Sequence, residues 1–132
     1  MADHPQSARP LSPHLQIYRW PVTMATSIIH RFTGVGLTGG TIILAWWLIA
    51  AASGPEAYAD FLGYAHTLLG QIVLFGVTLA AAYHLFNGIR HLAWDMGYGF
   101  AVKTANATGI LVFALSLVAA IAFFAYAGGY VQ

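Results

Sequence analysis

The segment "FTGVGLTGGTIILAWWLIAAASGP" (residues 32–55) contains no Asp, Glu, Lys or Arg. Residues 61–89 and 104–132 also lack these four residue types. Uncharged apolar stretches of about 18 or more residues are typical of membrane-spanning helices. The chain is 59% hydrophobic and 7% charged, whereas a soluble domain carries roughly 25% charged residues. We therefore predict an all-α integral membrane protein with three transmembrane helices.

The chain reads as a single transmembrane domain (residues 1–132) that begins with a polar, proline-rich segment, residues 1–22. Proline restricts regular structure, so we expect this segment to be mostly irregular, with a short interfacial helix around residues 15–20. The predicted spans are 23–52, 61–92 and 104–126. We expect a turn at "SGPE" (residues 53–56), a continuous second helix over 57–94 and a polar link over 95–103.

The basic residues indicate how the chain is oriented in the membrane. All five flank the first span at its N-terminal end or lie between the second and third spans: Arg9, Arg19, Arg31, Arg90 and Lys103. The loop between the first two spans carries only acidic charges. The positive-inside rule then places the N-terminus and residues 1–22 in the cytoplasm and the C-terminus outside.

Several classes of function are disfavoured by composition. The chain has no cysteine, so it has neither disulfides nor the thiolates that hold iron–sulfur clusters. Five basic residues form no patch for nucleic acid, and no internal repeat suggests a transporter of paired halves. We expect a multi-pass protein among the lipids of the bacterial inner membrane. The mitochondrial inner membrane is less favoured, since no Arg- and Ser-rich presequence is evident.

Histidines lie at matched depths in the first two spans. His30 precedes Arg31, and His84 lies six residues before Arg90, about 9 Å along a helix at about 1.5 Å per residue. His84, Gly88 and His91 form one helical stripe, in which the glycine leaves a gap for a flat group. Imidazole is a common haem ligand, and the two arginines could pair with haem propionates. The alternative is that His84 hydrogen-bonds to a neighbouring helix, which is the commoner role of a single histidine in a membrane helix.

Ser27, His30 and Arg31 share a helix face at i, i+3 and i+4. A hydroxyl, an imidazole and a guanidinium beside an apolar core suit a quinone, whose carbonyls need hydrogen-bond donors and whose tail remains in lipid. The alternative is a helix N-terminus at which arginine reaches back to the interface. Spacing alone leaves both interpretations open.

Two longer stretches resemble a known family. "RPLSPHLQIYRWPVTMATSIIHRFTGVGL" (residues 9–37) and "YHLFNGIRHLAWDMGYG" (residues 83–99) are similar to the cytochrome b membrane-anchor subunit of succinate dehydrogenase, respiratory complex II. The resemblance covers essentially the whole chain, with three spans in the expected order. It implies a haem b- and ubiquinone-binding anchor that passes electrons from an iron–sulfur subunit to quinone without oxidising succinate itself.

The resemblance also implies roles for individual residues. His84 would be one axial ligand of the haem iron, and a second membrane-anchor subunit would supply the other. His30, Arg31 and His91 would lie near the haem propionates, and Ser27 and Arg31 would line the quinone site. Asp95 would lie in the vicinity of the quinone. The remaining partners would be an iron–sulfur subunit and a flavoprotein subunit.

Two other hypotheses remain. The chain could be a purely structural anchor whose histidines only pack and hydrogen-bond. It could instead be a self-contained cytochrome in which His30 and His84 are both axial ligands, since their depths match.

The predicted orientation is tested by reporter fusions. A fusion after Gln132 should report an external C-terminus, and a fusion near Gly99 should report an internal loop, because all five basic residues fall on one side. The reverse pattern would contradict the depth matching of His30 and His84.

Overall fold

The structure, a computed structural model, describes residues 19–130, with side chains described for residues 19–128. This range forms four helices: α1 (Val22–Ser53), α2 (Pro55–Ala65), α3 (Leu68–Asp95) and α4 (Val102–Tyr130). Of these, α1, α3 and α4 are long and apolar enough to cross a membrane. The all-α class and the three apolar helices are confirmed. The interfacial helix predicted around residues 15–20 lies largely outside the described residues.

The second predicted helix is wrong in one respect, because residues 57–94 are not continuous. The chain leaves the helical conformation at Thr67, whose ψ is 154°, and this separates α2 from α3. The Thr67 hydroxyl accepts a hydrogen bond from the Gly70 N–H (3.0 Å), and the Gln71 side chain donates to the Ala65 carbonyl (2.9 Å). These bonds satisfy backbone groups that helix ends otherwise leave unpaired, so the break is stable within an apolar stretch.

The turn predicted at residues 53–56 is confirmed and is tight, since only Gly54 separates α1 from α2. Gly54 has φ 116° and ψ 178°, a region that is accessible essentially to glycine alone. Pro55 then begins α2, where its missing N–H costs no helical hydrogen bond. α2 packs on the end of α1, with Trp46 edge-on to Phe61 at 4.9 Å between ring centroids.

The three long helices form a thin bundle in which α3 contacts all the other helices and α1 also contacts α4. Small side chains such as Ala105 and Ala120 allow this close packing and are buried. Large apolar side chains cover the outside along the length of the bundle, including Ile42, Leu85, Ile110 and Phe123. A helix that is apolar on all sides is typical of a membrane span.

A buried arginine joins the three long helices. Arg90 of α3 is only 6% exposed, and its guanidinium donates four hydrogen bonds. On α1 the acceptor is the Thr26 hydroxyl (3.1 Å), and on α3 it is the Asn87 side-chain oxygen (3.1 Å). On α4 the acceptors are the Ala105 carbonyl (2.9 Å) and the Thr108 hydroxyl (3.1 Å). We call this set of five residues the arginine clamp.

Two contacts reinforce the arginine clamp. The Tyr83 hydroxyl donates to the Thr26 carbonyl at 2.9 Å, a second bond between α3 and α1. Gly109 of α4 lies so close to α1 that an added Cβ would be 2.9 Å from Val22 Cγ1 and 3.2 Å from Thr26 Cγ2. The clamp and these contacts therefore fix the lateral and axial positions of α1, α3 and α4.

We expect Arg90→Lys to lower the stability of the protein by about 2–4 kcal/mol. Lysine keeps the positive charge, but it cannot reach acceptors on three helices as the planar guanidinium does, and Thr26 and Asn87 would lose their donor. The midpoint of denaturant unfolding in detergent micelles, followed by circular dichroism, measures the change.

Arg19→Lys is the matched control, since Arg19 is exposed just before α1. This substitution should change stability by no more than about 0.5 kcal/mol. Equal effects at the two positions would show that the clamp does not hold the bundle together.

Candidate cofactor and quinone site

Three histidines meet where α1 packs against α3. The rings of His30 and His84 are stacked, with centroids 3.9 Å apart and planes inclined by 13°. His91, two turns after His84 on the same stripe, lies 5.2 Å from His30 with planes inclined by 39°. The matched depth of His30 and His84 expected from the sequence is therefore present as direct contact. We call these three residues the histidine cluster.

Two small residues of α1 receive the His84 ring. The Thr33 hydroxyl lies 3.2 Å from His84 Nδ1, and the same hydroxyl lies 2.9 Å from the His30 carbonyl oxygen. Gly34 is next to it, and a Cβ there would approach His84 Cε1 to 3.3 Å. This distance is tighter than ordinary van der Waals contact, so the absent side chain of Gly34 leaves the space in which the ring lies.

The environment of His84 fits a haem ligand. Nδ1 has a polar partner, while Nε2 makes no hydrogen bond with any residue in the described range 19–128. A histidine that ligates a metal almost always has its other ring nitrogen held by a hydrogen bond. Gly88, between His84 and His91 on the stripe, has open space where a Cβ would be. The gap predicted at this glycine is therefore present.

The arrangement of His30 and His84 does not suit a haem bound by both residues. Two axial ligands of one haem iron must approach from opposite faces of the porphyrin. Rings stacked at 3.9 Å leave no room for a porphyrin between them. The geometry thus disfavours the self-contained bis-histidine cytochrome.

The other predicted site residues lie around the histidine cluster. Ser27 is half-buried one turn before His30, and Arg31 is exposed on the adjacent position. Among the described residues, neither side chain has a hydrogen-bond or ion-pair partner. Asp95 is the last residue of α3 and is exposed, one turn beyond His91. Ser27 and Arg31 are thus available to a ligand, but within residues 19–128 no side-chain hydrogen bond or ion pair joins them or Asp95 to the histidine cluster.

Arg90 does not have the role suggested by its position in the sequence. We expected it at the membrane surface, where it could pair with a haem propionate. Its buried guanidinium instead uses four N–H groups within the bundle. Burial in a low-dielectric environment requires these partners, so the group is not available to a propionate. Arg31 remains as the exposed arginine of the pair.

The arginine clamp supports the histidine cluster through Trp94. The Arg90 guanidinium carbon lies 4.0 Å above the Trp94 ring, a favourable cation–π distance. The edge of Trp94 meets His91 at 5.0 Å between ring centroids, and its indole N–H donates to the Gly99 carbonyl at 3.3 Å. The tryptophan therefore holds His91 against the same structure that joins the helices.

The sequence analysis did not identify three residues that contact the site or support it: Thr33, Gly34 and Asn87. His30, Thr33 and Gly34 are spaced i, i+3 and i+4, so they share a face. That spacing was a usable signal for Thr33 and Gly34. Asn87 and Arg90 are spaced i, i+3 on one helix, which was a usable signal for Asn87 as well.

Comparisons with known proteins agree with this architecture. Residues 5–123 match the model of the family described as "Succinate dehydrogenase/Fumarate reductase transmembrane subunit". The succinate dehydrogenase cytochrome b556 subunit of Paracoccus denitrificans is 43% identical over 121 residues, which cover 92% of this chain and 93% of the relative. The same-named subunit of Rickettsia felis is 46% identical over 109 residues, covering 83% and 85% of the two chains.

A mitochondrial protein is also similar to this chain. The succinate dehydrogenase cytochrome b560 subunit of Sus scrofa is 37% identical over 120 residues, covering 87% of this chain and 69% of the relative. The family match covers α1, α3, most of α4 and every residue of the histidine cluster. On this basis the chain belongs to the family of succinate dehydrogenase/fumarate reductase transmembrane subunits.

Proposed function

We propose that this chain is the haem b- and ubiquinone-binding anchor subunit of a succinate:quinone oxidoreductase in the bacterial inner membrane, with its N-terminus inside. The observation that carries the proposal is the His84 imidazole, held at Nδ1 and unengaged at Nε2 within the histidine cluster. The names of the relatives, cytochrome b556 and b560 subunits, support a haem b.

His84 is the residue that would ligate the iron. A bound haem b supplies reversible one-electron transfer. His30, in ring contact with both His84 and His91, and His91 itself would offer ring N–H groups to the propionates, and the exposed Arg31 would offer a positive charge. Since His30 is stacked beside His84 rather than opposite it, we assign the second axial ligand to a separate membrane-anchor subunit.

Ser27 and Arg31 would bind the quinone head group. Their side chains lack partners among the described residues and lie on the N-terminal turns of α1. The Ser27 hydroxyl can donate to a quinone carbonyl. The Arg31 guanidinium stabilises negative charge that develops on the quinone oxygen, without transferring a proton itself. Asp95, one turn beyond His91, is placed to exchange protons with the aqueous side.

The remaining redox chemistry belongs to other subunits. The chain has no cysteine, so it offers no thiolate to an iron–sulfur cluster. An iron–sulfur subunit would deliver electrons to the quinone bound at Ser27 and Arg31. A flavoprotein subunit would oxidise succinate. This chain therefore completes the oxidoreductase, anchors it in lipid and does not itself oxidise succinate.

The haem assignment is tested by replacing single histidines and recording reduced-minus-oxidised absorption spectra of the purified complex. His84→Leu should abolish or change the low-spin haem spectrum, because Nε2 would be the iron ligand. His91→Leu should keep the ligation and alter only the midpoint potential or the occupancy. His66→Leu is the matched control, because His66 is exposed at the break between α2 and α3.

A wild-type spectrum in the His84 variant would overturn the ligand assignment. A complex that assembles normally and contains no haem in the wild type would favour the purely structural anchor.

The quinone assignment is tested by measuring two activities of the same preparation. Ser27→Ala should reduce succinate-driven quinone reduction about 2- to 13-fold, the effect of one lost hydrogen bond. Arg31→Leu should reduce it about 10- to 100-fold, as expected for a charged donor, and Arg31→Lys should recover only part. Succinate oxidation by an artificial acceptor upstream of the quinone should remain near the wild-type rate.

Arg19→Leu removes another exposed arginine near the start of α1 and should leave both activities intact. A parallel loss of both activities in the Arg31 variants would make Arg31 an assembly residue. Unchanged quinone reduction in both the Ser27 and Arg31 variants would place the quinone elsewhere.

A further inference from the structure

The Thr33 hydroxyl has two close polar neighbours and only one proton. Its oxygen lies 2.9 Å from the His30 carbonyl oxygen and 3.2 Å from His84 Nδ1. A carbonyl oxygen can only accept a hydrogen bond, whereas a ring nitrogen of a neutral histidine either donates or accepts. The direction of the first bond therefore decides the direction of the second.

Only one arrangement makes both contacts hydrogen bonds. If Thr33 donates to His30 O, then its oxygen must accept from a proton on His84 Nδ1. In the reverse arrangement Thr33 donates to His84 Nδ1, and two oxygen atoms face each other at 2.9 Å without a proton between them. Unpaired polar contacts of this kind are costly in a low-dielectric environment. A threonine hydroxyl bonded to the carbonyl one turn earlier is also a common arrangement in helices.

We infer that Thr33 is a positioning residue that fixes His84 as the tautomer protonated at Nδ1, and thereby presents the Nε2 lone pair to the haem iron. This inference rests on the proposed function, in which His84 is an axial ligand. No residue of the described helix α3 forms a hydrogen bond with the His84 ring, so the polar contact that sets its tautomer comes from α1. Gly34 packs closely against the side of the His84 ring, since a Cβ at this position would approach His84 Cε1 to 3.3 Å.

The bond to Thr33 should also affect the midpoint potential and the binding of the haem. A hydrogen bond that an imidazole donates through its remote nitrogen makes the ligating nitrogen more basic, and such partners typically affect metal affinity about 10- to 100-fold. A more basic ligand stabilises the ferric state. Loss of the hydroxyl should therefore raise the midpoint potential of the haem and weaken its binding.

Three substitutions at Thr33 and one elsewhere test the inference in the purified complex. Thr33→Val keeps the shape and removes the hydroxyl, Thr33→Ala removes it with less bulk, and Thr33→Ser retains it. Thr41→Val is the matched control, because the Thr41 hydroxyl bonds to the carbonyl of Thr38 at i−3 (2.7 Å). The Thr41→Val substitution therefore removes an intrahelical hydrogen bond of the same kind, from a hydroxyl that has no histidine partner.

The readouts are haem content per assembled complex, the midpoint potential from a redox titration, and the electron paramagnetic resonance g values of the ferric haem. Thr33→Val and Thr33→Ala should lower haem retention about 10-fold or more, raise the potential and shift the g values. Thr33→Ser and Thr41→Val should match the wild type in all three.

Wild-type values in Thr33→Val, or equal defects in Thr33→Ser and Thr33→Val, would overturn the inference. Equal defects in Thr41→Val would show that the loss of haem follows from losing any intrahelical threonine bond in α1, and not from the contact with His84. Failure of both hydroxyl-free variants to assemble, while the Ser variant assembles, would make Thr33 a folding residue and would also overturn it. His84→Leu separates the two proposals, since an altered spectrum there with an unaltered Thr33→Val refutes only the role of Thr33.

Discussion

The bundle depends on one buried guanidinium. A positive charge within an apolar helix is costly unless hydrogen bonds replace its water, and Arg90 obtains four acceptors from α1, α3 and α4. The low dielectric that makes an unpaired charge expensive also strengthens the completed network. Apolar packing cannot provide this specificity, because lipid tails solvate leucine as well as another helix does. The arginine clamp therefore selects one arrangement of three otherwise similar apolar helices.

The clamp and the histidine cluster are connected through α1. Thr26 accepts from Arg90 and from Tyr83, and His30 follows it by about one helical turn. Tyr83 directly precedes His84, so the bond that fixes Tyr83 also fixes the depth of the next residue. The stacking of His30 on His84 and the approach of Thr33 to His84 Nδ1 follow from this register. Thr26 and His30 are four residues apart and therefore lie on the same side of α1, so the polar contacts at Thr26 help to set the geometry of the histidine cluster.

The sequence predicted the features that depend on composition and helical spacing. The three apolar spans, the turn at Gly54, the matched depth of His30 and His84 and the gap at Gly88 all follow from such patterns. The break at Thr67 was missed because its capping bonds involve one threonine and one glutamine within an apolar stretch. The role of Arg90 was misjudged because a charge near a span end resembles an anchor. The acceptors on α1 and α4, Thr26, Ala105 and Thr108, show that the Arg90 side chain points inward.

The order of synthesis determines when the arginine clamp is completed. Ala105 and Thr108 follow Arg90 by 15 and 18 residues, so α3 is synthesised before two of the four acceptors of its arginine. Thr26 and Asn87 are already present and offer a partial set of partners. Proteins fold from the N-terminus during synthesis, and a charged side chain within an apolar span is costly unless it has partners. The hydrogen bonds from Arg90 to α4 therefore form last, and the arginine clamp is complete only when α4 has joined α1 and α3.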